Sequence, residues 1–222
     1  MTEPATDPSR DPAAWDTVRI LREIEAILFR PEAPFTLTSG RRSPVYVDCR
    51  RLISYPRARA RIMDLACARI QAAAGYESLD AVAGGETAGI PFAAWIAERL
   101  GLPMVYVRKK PKGFGRNARI EGHLPAGART LLVEDLATDG GSKLDFVEAI
   151  RAAGGEVAHA FVIFHYGIFP QSTAALAARG VRLHALATWW DALAEAEAAD
   201  SLDPGARAVI RGFLEDPEGW TA

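Results

Sequence analysis

Two carboxylates and a glycine turn stand together in "TLLVEDLATDGGSK", Thr130 to Lys143. An apolar run ends in the adjacent acids Glu134 and Asp135, and Leu136 and Ala137 lead into Thr138, Asp139, Gly140, Gly141 and Ser142. Paired carboxylates bind cations or sugar hydroxyls, whereas backbone N–H groups converging in a glycine-rich turn at a helix N-terminus bind phosphate. Carboxylates beside such a nest repel a bare phosphate, so the combination suits a ligand that brings sugar, phosphate and a metal ion together. The structural alternative is a strand end followed by a helix cap supplied by Asp139 or Ser142. The fixed order of apolar run, acid pair and Thr-x-Gly-Gly-Ser favours a site.

Two further segments carry candidate chemistry. "AVAGGETAGIPFA" puts Gly84 and Gly85 at another strand end before a helix, with Glu86 and Thr87 in the turn, where backbone amides could form a second anion nest. "RKKPKGFGRNARIEGHLPAG" gathers Arg108, Lys109, Lys110, Lys112, Arg116 and Arg119 on a polar, Gly-rich stretch. Long loops of this kind are either solvated surface or lids, and a cationic lid would suit a polyanionic leaving group.

Other chemistries find no support. Ser142 separates Gly141 from Lys143, which breaks the Walker pattern, and "GFGRNA" follows a charged run rather than a strand. His123, His159, His165 and His184 show no metal-ligand spacing. Ser142 lacks the nucleophile elbow of the hydrolases. Trp95, Trp189, Trp190 and Trp220 read as core or interface residues.

The elements that must position these residues follow from periodicity. Residues 1–14 read as a polar tail and 15–222 as one domain. Val18, Leu21, Ile24, Ala26 and Leu28 fit an amphipathic helix from Trp15 to about Phe29, and "PFTLTSGRRSPVYVDCRRL" reads as two short strands around a Ser-Gly turn, with Val45 and Val47 on one face. Beyond it, helix and strand patterns alternate: a helix ended by Gly75, the "LDAVAGG" strand, a helix closed by Gly101, then "PMVYVR", "TLLVED", "SKLDFVEAIRAAGG", "EVAHAFVIFHYG", "STAALAARG" and "VRLHALAT". Two helices over about 189–216, broken at Asp203-Pro204-Gly205, complete the chain. Such alternation implies an α/β fold with a parallel sheet covered by helices on both faces.

At 222 residues, with 49% hydrophobic and 24% charged residues, the chain has ordinary globular composition. A formal net charge of -2 gives no bulk reason to expect nucleic acid or an anionic membrane as partner. No apolar run approaches the roughly 20 residues of a membrane helix, and the N-terminus has no signal-peptide pattern, so a cytoplasmic protein is expected. Cys49 and Cys67 are too few for a disulfide framework and read as reduced core thiols.

Together, "LLVEDLATDGGS", "FTLTSGRRSPVYVDCR" and "RKKPKGFGRNARIEG" resemble the type I phosphoribosyltransferases, and within them the orotate phosphoribosyltransferase family. The likeness runs from about Phe35 to Thr188 and implies the type I phosphoribosyltransferase fold with a small N-terminal hood, about residues 30–55, and a flexible loop, about 109–127. It also implies Mg²⁺-dependent transfer of ribose 5-phosphate from phosphoribosyl pyrophosphate to orotate, in pyrimidine biosynthesis. By that resemblance Glu134 and Asp135 hold the ribose hydroxyls, with possible help to a Mg²⁺ that the substrate carries. Thr138 to Ser142, through Asp139, Gly140 and Gly141, cradle the 5-phosphate, and Leu136 and Ala137 also bind phosphoribosyl pyrophosphate. Gly85, Glu86 and Thr87 face pyrophosphate. Lys109 and Lys112 close over the reaction, with Lys112 as charge stabiliser or proton donor, and Arg108 reaches the neighbouring subunit's site in a homodimer. Tyr46, Val47, Thr138 and His165 line the orotate pocket.

Four positions depart from the family pattern. Asp139 puts a charge in the phosphate turn, Phe114 stands where a loop histidine is common, and Thr38 replaces a lysine before the Ser-Gly-Arg turn. "FHYGIFPQ" replaces a stretch whose arginine usually meets the orotate carboxylate, with His165 at about that place. These departures frame two alternatives: a non-catalytic phosphoribosyl pyrophosphate-binding regulator, and a transferase for another base.

Overall fold

A computed structural model describes residues 11–37, 40–111, 119–138 and 141–221. Helix α1, Pro12–Glu23, starts within the stretch expected to be tail, because Asp11 accepts from the Ala13 N–H as N-cap and Pro12 fits the first turn. It also ends before the expected Phe29. Glu25 takes a left-handed φ of 55°, and Ile27–Phe29 forms strand β1. The alternating Ala26 and Leu28 mimicked a helical stripe. Pairing with Val45–Val47 decides the outcome, with Ile27 opposite Val47 and Phe29 opposite Val45.

The hood consists of β2 (Phe35–Thr36) and β3 (Arg42–Ser43), which form an antiparallel hairpin, and of β4 (Val45–Val47) on β1. Val45 and Val47 share the buried face, as their spacing predicts. A 3₁₀ turn over Cys49–Ser54 leads to α2 (Pro56–Ala74), stopped by Gly75 at φ 101°.

The main sheet contains β5 (Ala81–Gly85), β6 (Met104–Val107), β7 (Ile120–Glu121), β8 (Arg129–Ala137), β9 (Glu156–His165) and β10 (Arg182–Thr188), in the order β10-β9-β8-β5-β6-β7. All pairings are parallel except β6 with β7. Helices α3 (Gly89–Leu100), α4 (Gly141–Ala152) and α5 (Pro170–Ala177) make the crossovers, and α6 (Trp189–Ala198) and α7 (Pro204–Glu215) complete the chain. Asp203 caps α7 through the Ala206 N–H, so the Asp-Pro-Gly break opens a helix.

Alternation along the strands divides the core. Val82, Leu131, Val133 and Ile163 pack with α1, α2, α3 and α6, whereas Ala83, Leu132 and Ala160 pack with α4. Both faces are therefore covered, as the fold class requires. Strand order reverses between β5 and β8, and the crevice beyond the carboxyl ends of two such strands is where ligands of open parallel sheets collect. Among the described residues, no helix is long and apolar enough to cross a membrane.

Candidate active site

A cavity of about 1090 Å³ opens at that reversal. Its floor comes from β8, which runs two residues further than the expected "TLLVED" because β9 keeps pairing with it as far as Ala137 opposite His165. The acid pair therefore lies inside the strand, and its two members take opposite faces. Glu134 turns toward α4 and is 9% exposed, with its Oε2 2.7 Å from Lys143 Nζ. Lys143, 3% exposed, donates to the Leu136 carbonyl at 2.7 Å. The contact with Glu134 is an ion pair without good hydrogen-bond alignment, since Oε2 has no hydrogen-bond partner.

Asp135 faces the 3₁₀ turn, where its charge is felt by Cys49 and Arg50. Burial first, and the neighbouring Glu134 second, raise its pKa above the usual aspartate value. Its carboxylate accepts from its own backbone N–H, and among the described residues no ion pair engages it. One acid is thus fixed by a buried lysine, while the other is open to the cavity.

At the strand end, Gly84 and Gly85 also answer a packing requirement. A Cβ on Gly84 would meet Gly89 O at 2.9 Å, and one on Gly85 would meet Phe146 at 2.7 Å and Glu134 Cγ at 2.9 Å. These glycines let α3 and α4 approach the sheet, and neither has a positive φ. The Glu86 N–H is spent on the Val107 carbonyl. Glu86, Thr87 and Ala88 line the cavity instead.

The basic segment is not wholly structureless. Ile120 and Glu121 form edge strand β7, with Val107 opposite Ile120. Arg119 forks onto Asp145 at 2.8 and 2.6 Å and donates to the Arg108 carbonyl, while Arg108 meets Glu121 at 3.5 Å. These two arginines clamp the base of the loop. Lys109 lines the cavity, its backbone N–H donating to the Glu86 carboxylate at 2.7 Å. Lys112, Phe114 and Arg116 lie outside the described residues, as do Thr38, Asp139, Gly140 and the Ser142 side chain. Thr138 lines the cavity.

The aromatic end is built from distant segments. Tyr46 and Val47 come from β4, while Tyr166, Phe169 and Gln171 come from the stretch after β9. Phe169 stacks with Tyr166, ring centroids 6.3 Å apart at 20°. His165 lies outside this lining. The Ser172 hydroxyl donates to the Phe169 carbonyl at 2.8 Å, so His165 Nε2, 3.0 Å from that hydroxyl, is the donor to it. Burial, then Lys143, lower its pKa, which keeps the imidazole neutral and ill suited to pairing with a carboxylate.

Among the contributors to the cavity that sequence reasoning missed are Arg41, Arg50, Lys143 and Phe213. Arg50 forks onto Asp48 at 2.6 and 3.1 Å. The "DCR" spacing could have suggested that pair, and the buried position of Lys143 one turn into a helix after an acid pair could have suggested the other. Phe213 lies on α7 and carried no signal.

Comparison with known proteins agrees with this geometry. The Phosphoribosyl transferase domain family matches residues 52–194. An orotate phosphoribosyltransferase of Cereibacter sphaeroides is 59% identical over 98% of this chain and 94% of its own length. The crystal structure of orotate phosphoribosyltransferase from Aeropyrum pernix superposes with a TM-score of 0.71 at 34% identity, covering 84% of this chain and 99% of the other. That of the Mycobacterium tuberculosis enzyme in complex with 5-phospho-alpha-D-ribosyl 1-diphosphate superposes with a TM-score of 0.63 at 27% identity, over 82% of this chain and 99% of the other. The chain belongs to the phosphoribosyl transferase family, in its orotate phosphoribosyltransferase branch.

Proposed function

We propose that the protein transfers ribose 5-phosphate from phosphoribosyl pyrophosphate to N1 of orotate, releasing pyrophosphate and forming orotidine 5′-phosphate in pyrimidine biosynthesis. The observation that carries this reading is the cavity at the strand reversal, lined by Asp135 and Thr138 from the end of β8 and by the aromatic rings of Tyr46, Tyr166 and Phe169. The anomeric C–O bond breaks with its electron pair passing to the diphosphate, and the N1 lone pair of deprotonated orotate forms the new bond. Positive charge grows on the ribose ring and negative charge on the leaving group.

Asp135 is placed for the first of these charges. Its carboxylate accepts from the ribose hydroxyls and stabilises the ring as it becomes cationic. Glu134, held by Lys143, fixes the strand end beside it. The turn from Thr138 through Ser142 receives the 5-phosphate, while Glu86 and Thr87 face the diphosphate. Lys109 and Lys112 meet the charge of the leaving group and exclude water as the loop closes. Within a homodimer, Arg108 and the loop would serve the partner's site.

The donor set also suits Mg²⁺. Among the described residues no group of three or more His, Cys, Asp or Glu could hold a metal, while Asp135 offers one open carboxylate. Asp135, with Glu134 beside it, would help to hold the ion that the substrate carries. When bound, Mg²⁺ supplies charge neutralisation on the diphosphate.

Mixing the protein with orotate, Mg²⁺ and phosphoribosyl pyrophosphate tests the reading directly, with loss of orotate's ultraviolet absorbance as the expected result. Tight phosphoribosyl pyrophosphate binding without turnover of orotate would indicate a regulator. Turnover of a purine base instead would indicate a different transferase.

A further inference from the structure

Bond formation at N1 needs that nitrogen without its proton, so the groups set against the acceptor ring decide how readily the proton leaves. Tyr166 is placed among them. It is 5% exposed yet lines the cavity, and its backbone N–H donates at 2.8 Å to the carbonyl of Ala137, just beyond Asp135 on β8. That bond ties it to the strand end proposed to hold the ribose. Its ring stacks on Phe169, with centroids 6.3 Å apart, and meets Trp189 edge-on at 5.7 Å. The phenol feels Tyr46 of β4 and Cys49 of the 3₁₀ turn, and Cys49 in turn feels Asp135. Tyr166 therefore stands between the aromatic wall and Asp135, where a base must meet the ribose ring.

The hydroxyl is uncommitted as a donor. Among the described residues it donates to no protein acceptor. The wholly buried Trp189 makes no well-formed hydrogen bond with its Nε1–H, yet that group acts on the phenol oxygen as a donor does. An oxygen that accepts from the indole keeps its own proton for a third group. Burial first, then Tyr46 and Cys49, push the Tyr166 pKa up to about 12, so the proton stays on the phenol across the working range. A buried polar group without a partner is costly, which points to a ligand that completes it. The charge of an N1-deprotonated pyrimidine spreads onto its ring carbonyl oxygens, and a fixed donor in a site shielded from water stabilises such charge strongly.

We propose that the Tyr166 hydroxyl donates to a ring carbonyl oxygen of the acceptor and thereby favours the N1-deprotonated form that reacts. This rests on the proposed transferase function and adds to it the residue that readies the acceptor. The N1 proton goes to water, and Tyr166 keeps its own throughout.

Single-turnover rates at saturating substrates, followed from about pH 6 to about pH 10 in the wild type and Tyr166→Phe, test it. The substitution keeps the ring, its stack and its edge contact and removes only the oxygen. The rate should rise with pH as bound orotate loses its proton. In the variant this rise should move to higher pH by about one unit or more, the scale of a hydrogen bond to a charged group. At neutral pH the variant should be about tenfold slower, and at high pH the two should converge. 5-Fluoroorotate, whose N1 proton is more acidic, should show a smaller difference. Tyr46, Cys49, Asp135, His165 and the cation of Arg41 over Phe169 adjoin this spot and act in both proteins alike, so they leave the difference between the profiles unchanged. Ultraviolet titration of orotate bound beside a non-reacting phosphoribosyl pyrophosphate analogue reads the same ionisation without turnover. In the wild type it should lie below that of free orotate. A profile that keeps its position in Tyr166→Phe, a loss equal at every pH, or bound orotate that ionises no more readily than free orotate would overturn the proposal. A lower Tm with an unmoved profile would also overturn it, by making Tyr166 a packing residue. Failure of the wild type to consume orotate at any pH would overturn the functional reading itself, before any variant is made.

Discussion

The two ends of the cavity are built by different means. The end proposed to hold the ribose phosphate comes from one contiguous segment, Thr130 to Lys143, in which strand β8 is followed in sequence by helix α4. One of its acids, Glu134, is buried and paired with Lys143, while Asp135 opens to the cavity. The acceptor end is gathered from the hood, the stretch after β9 and α7, and it presents an exposed guanidinium and aromatic rings. A rigid local unit suits the part that must stabilise a transition state, because preorganised charge need not rearrange during the reaction. A wall assembled from separate segments suits the part that chooses among bases. Substitutions at the first end should therefore act on stability and kcat, and those at the second on the handling of one substrate, the acceptor.

The largest effect expected at the rigid end is on folding. Lys143→Met leaves the Glu134 carboxylate buried beside Asp135 without its counter-charge, a situation that costs about 3–5 kcal/mol. Denaturant unfolding measures it, and the double variant Lys143→Met with Glu134→Gln should recover a large part of the loss. Equal instability of the double variant would mean that Lys143 acts through packing alone. Next comes catalysis. Asp135→Asn keeps shape but removes charge, and kcat should fall about a hundredfold, the scale of a lost electrostatic contact to a transition state. A change confined to KM would reduce Asp135 to a binding residue and weaken the contrast between the ends.

The smallest effect belongs to neither end and serves as a control. His159 Nδ1 and His184 Nε2 lie 2.9 Å apart on neighbouring strands, near Arg182 and Arg69. Burial first, then His159 and the two arginines, hold His184 down to about 4, and burial and Arg182 lower His159 as well. In the unfolded chain the imidazole takes its proton near 6.5. The unfolded state thus binds more protons in between, and stability present above about 6.5 is lost as pH falls toward about 4. His184→Gln should flatten that slope in unfolding measured from about pH 7 down to about pH 5, with both KM values unchanged. An unchanged slope would show that the pair does not govern acid stability.

The same contrast explains what the sequence reveals. Glu134 and Asp135 are legible as an acid pair near a strand end because the apolar run stops at them, and the alternating elements disclose the parallel sheet. The division of labour within the acid pair is not legible, since it depends on β9 prolonging β8 and on Lys143 of α4 reaching Glu134 and the Leu136 carbonyl. Strand β1 is hidden because Ile24, Ala26 and Leu28 serve a helical stripe as readily as a short strand, and only the partner Val45–Val47 chooses between them. Strand β7 is too short to leave a pattern. Arg41 and Phe213 reach the cavity through long-range packing, for which residue type and spacing carry no mark.

A crystal structure of the wild type with orotate and a non-reacting phosphoribosyl pyrophosphate analogue tests the two-ended cavity most directly. The account predicts orotate among Tyr46, Tyr166 and Phe169, the ribose hydroxyls on Asp135, and the 5-phosphate at the turn after Thr138. Orotate bound away from those rings, or a ribose ring out of reach of Asp135, would contradict it.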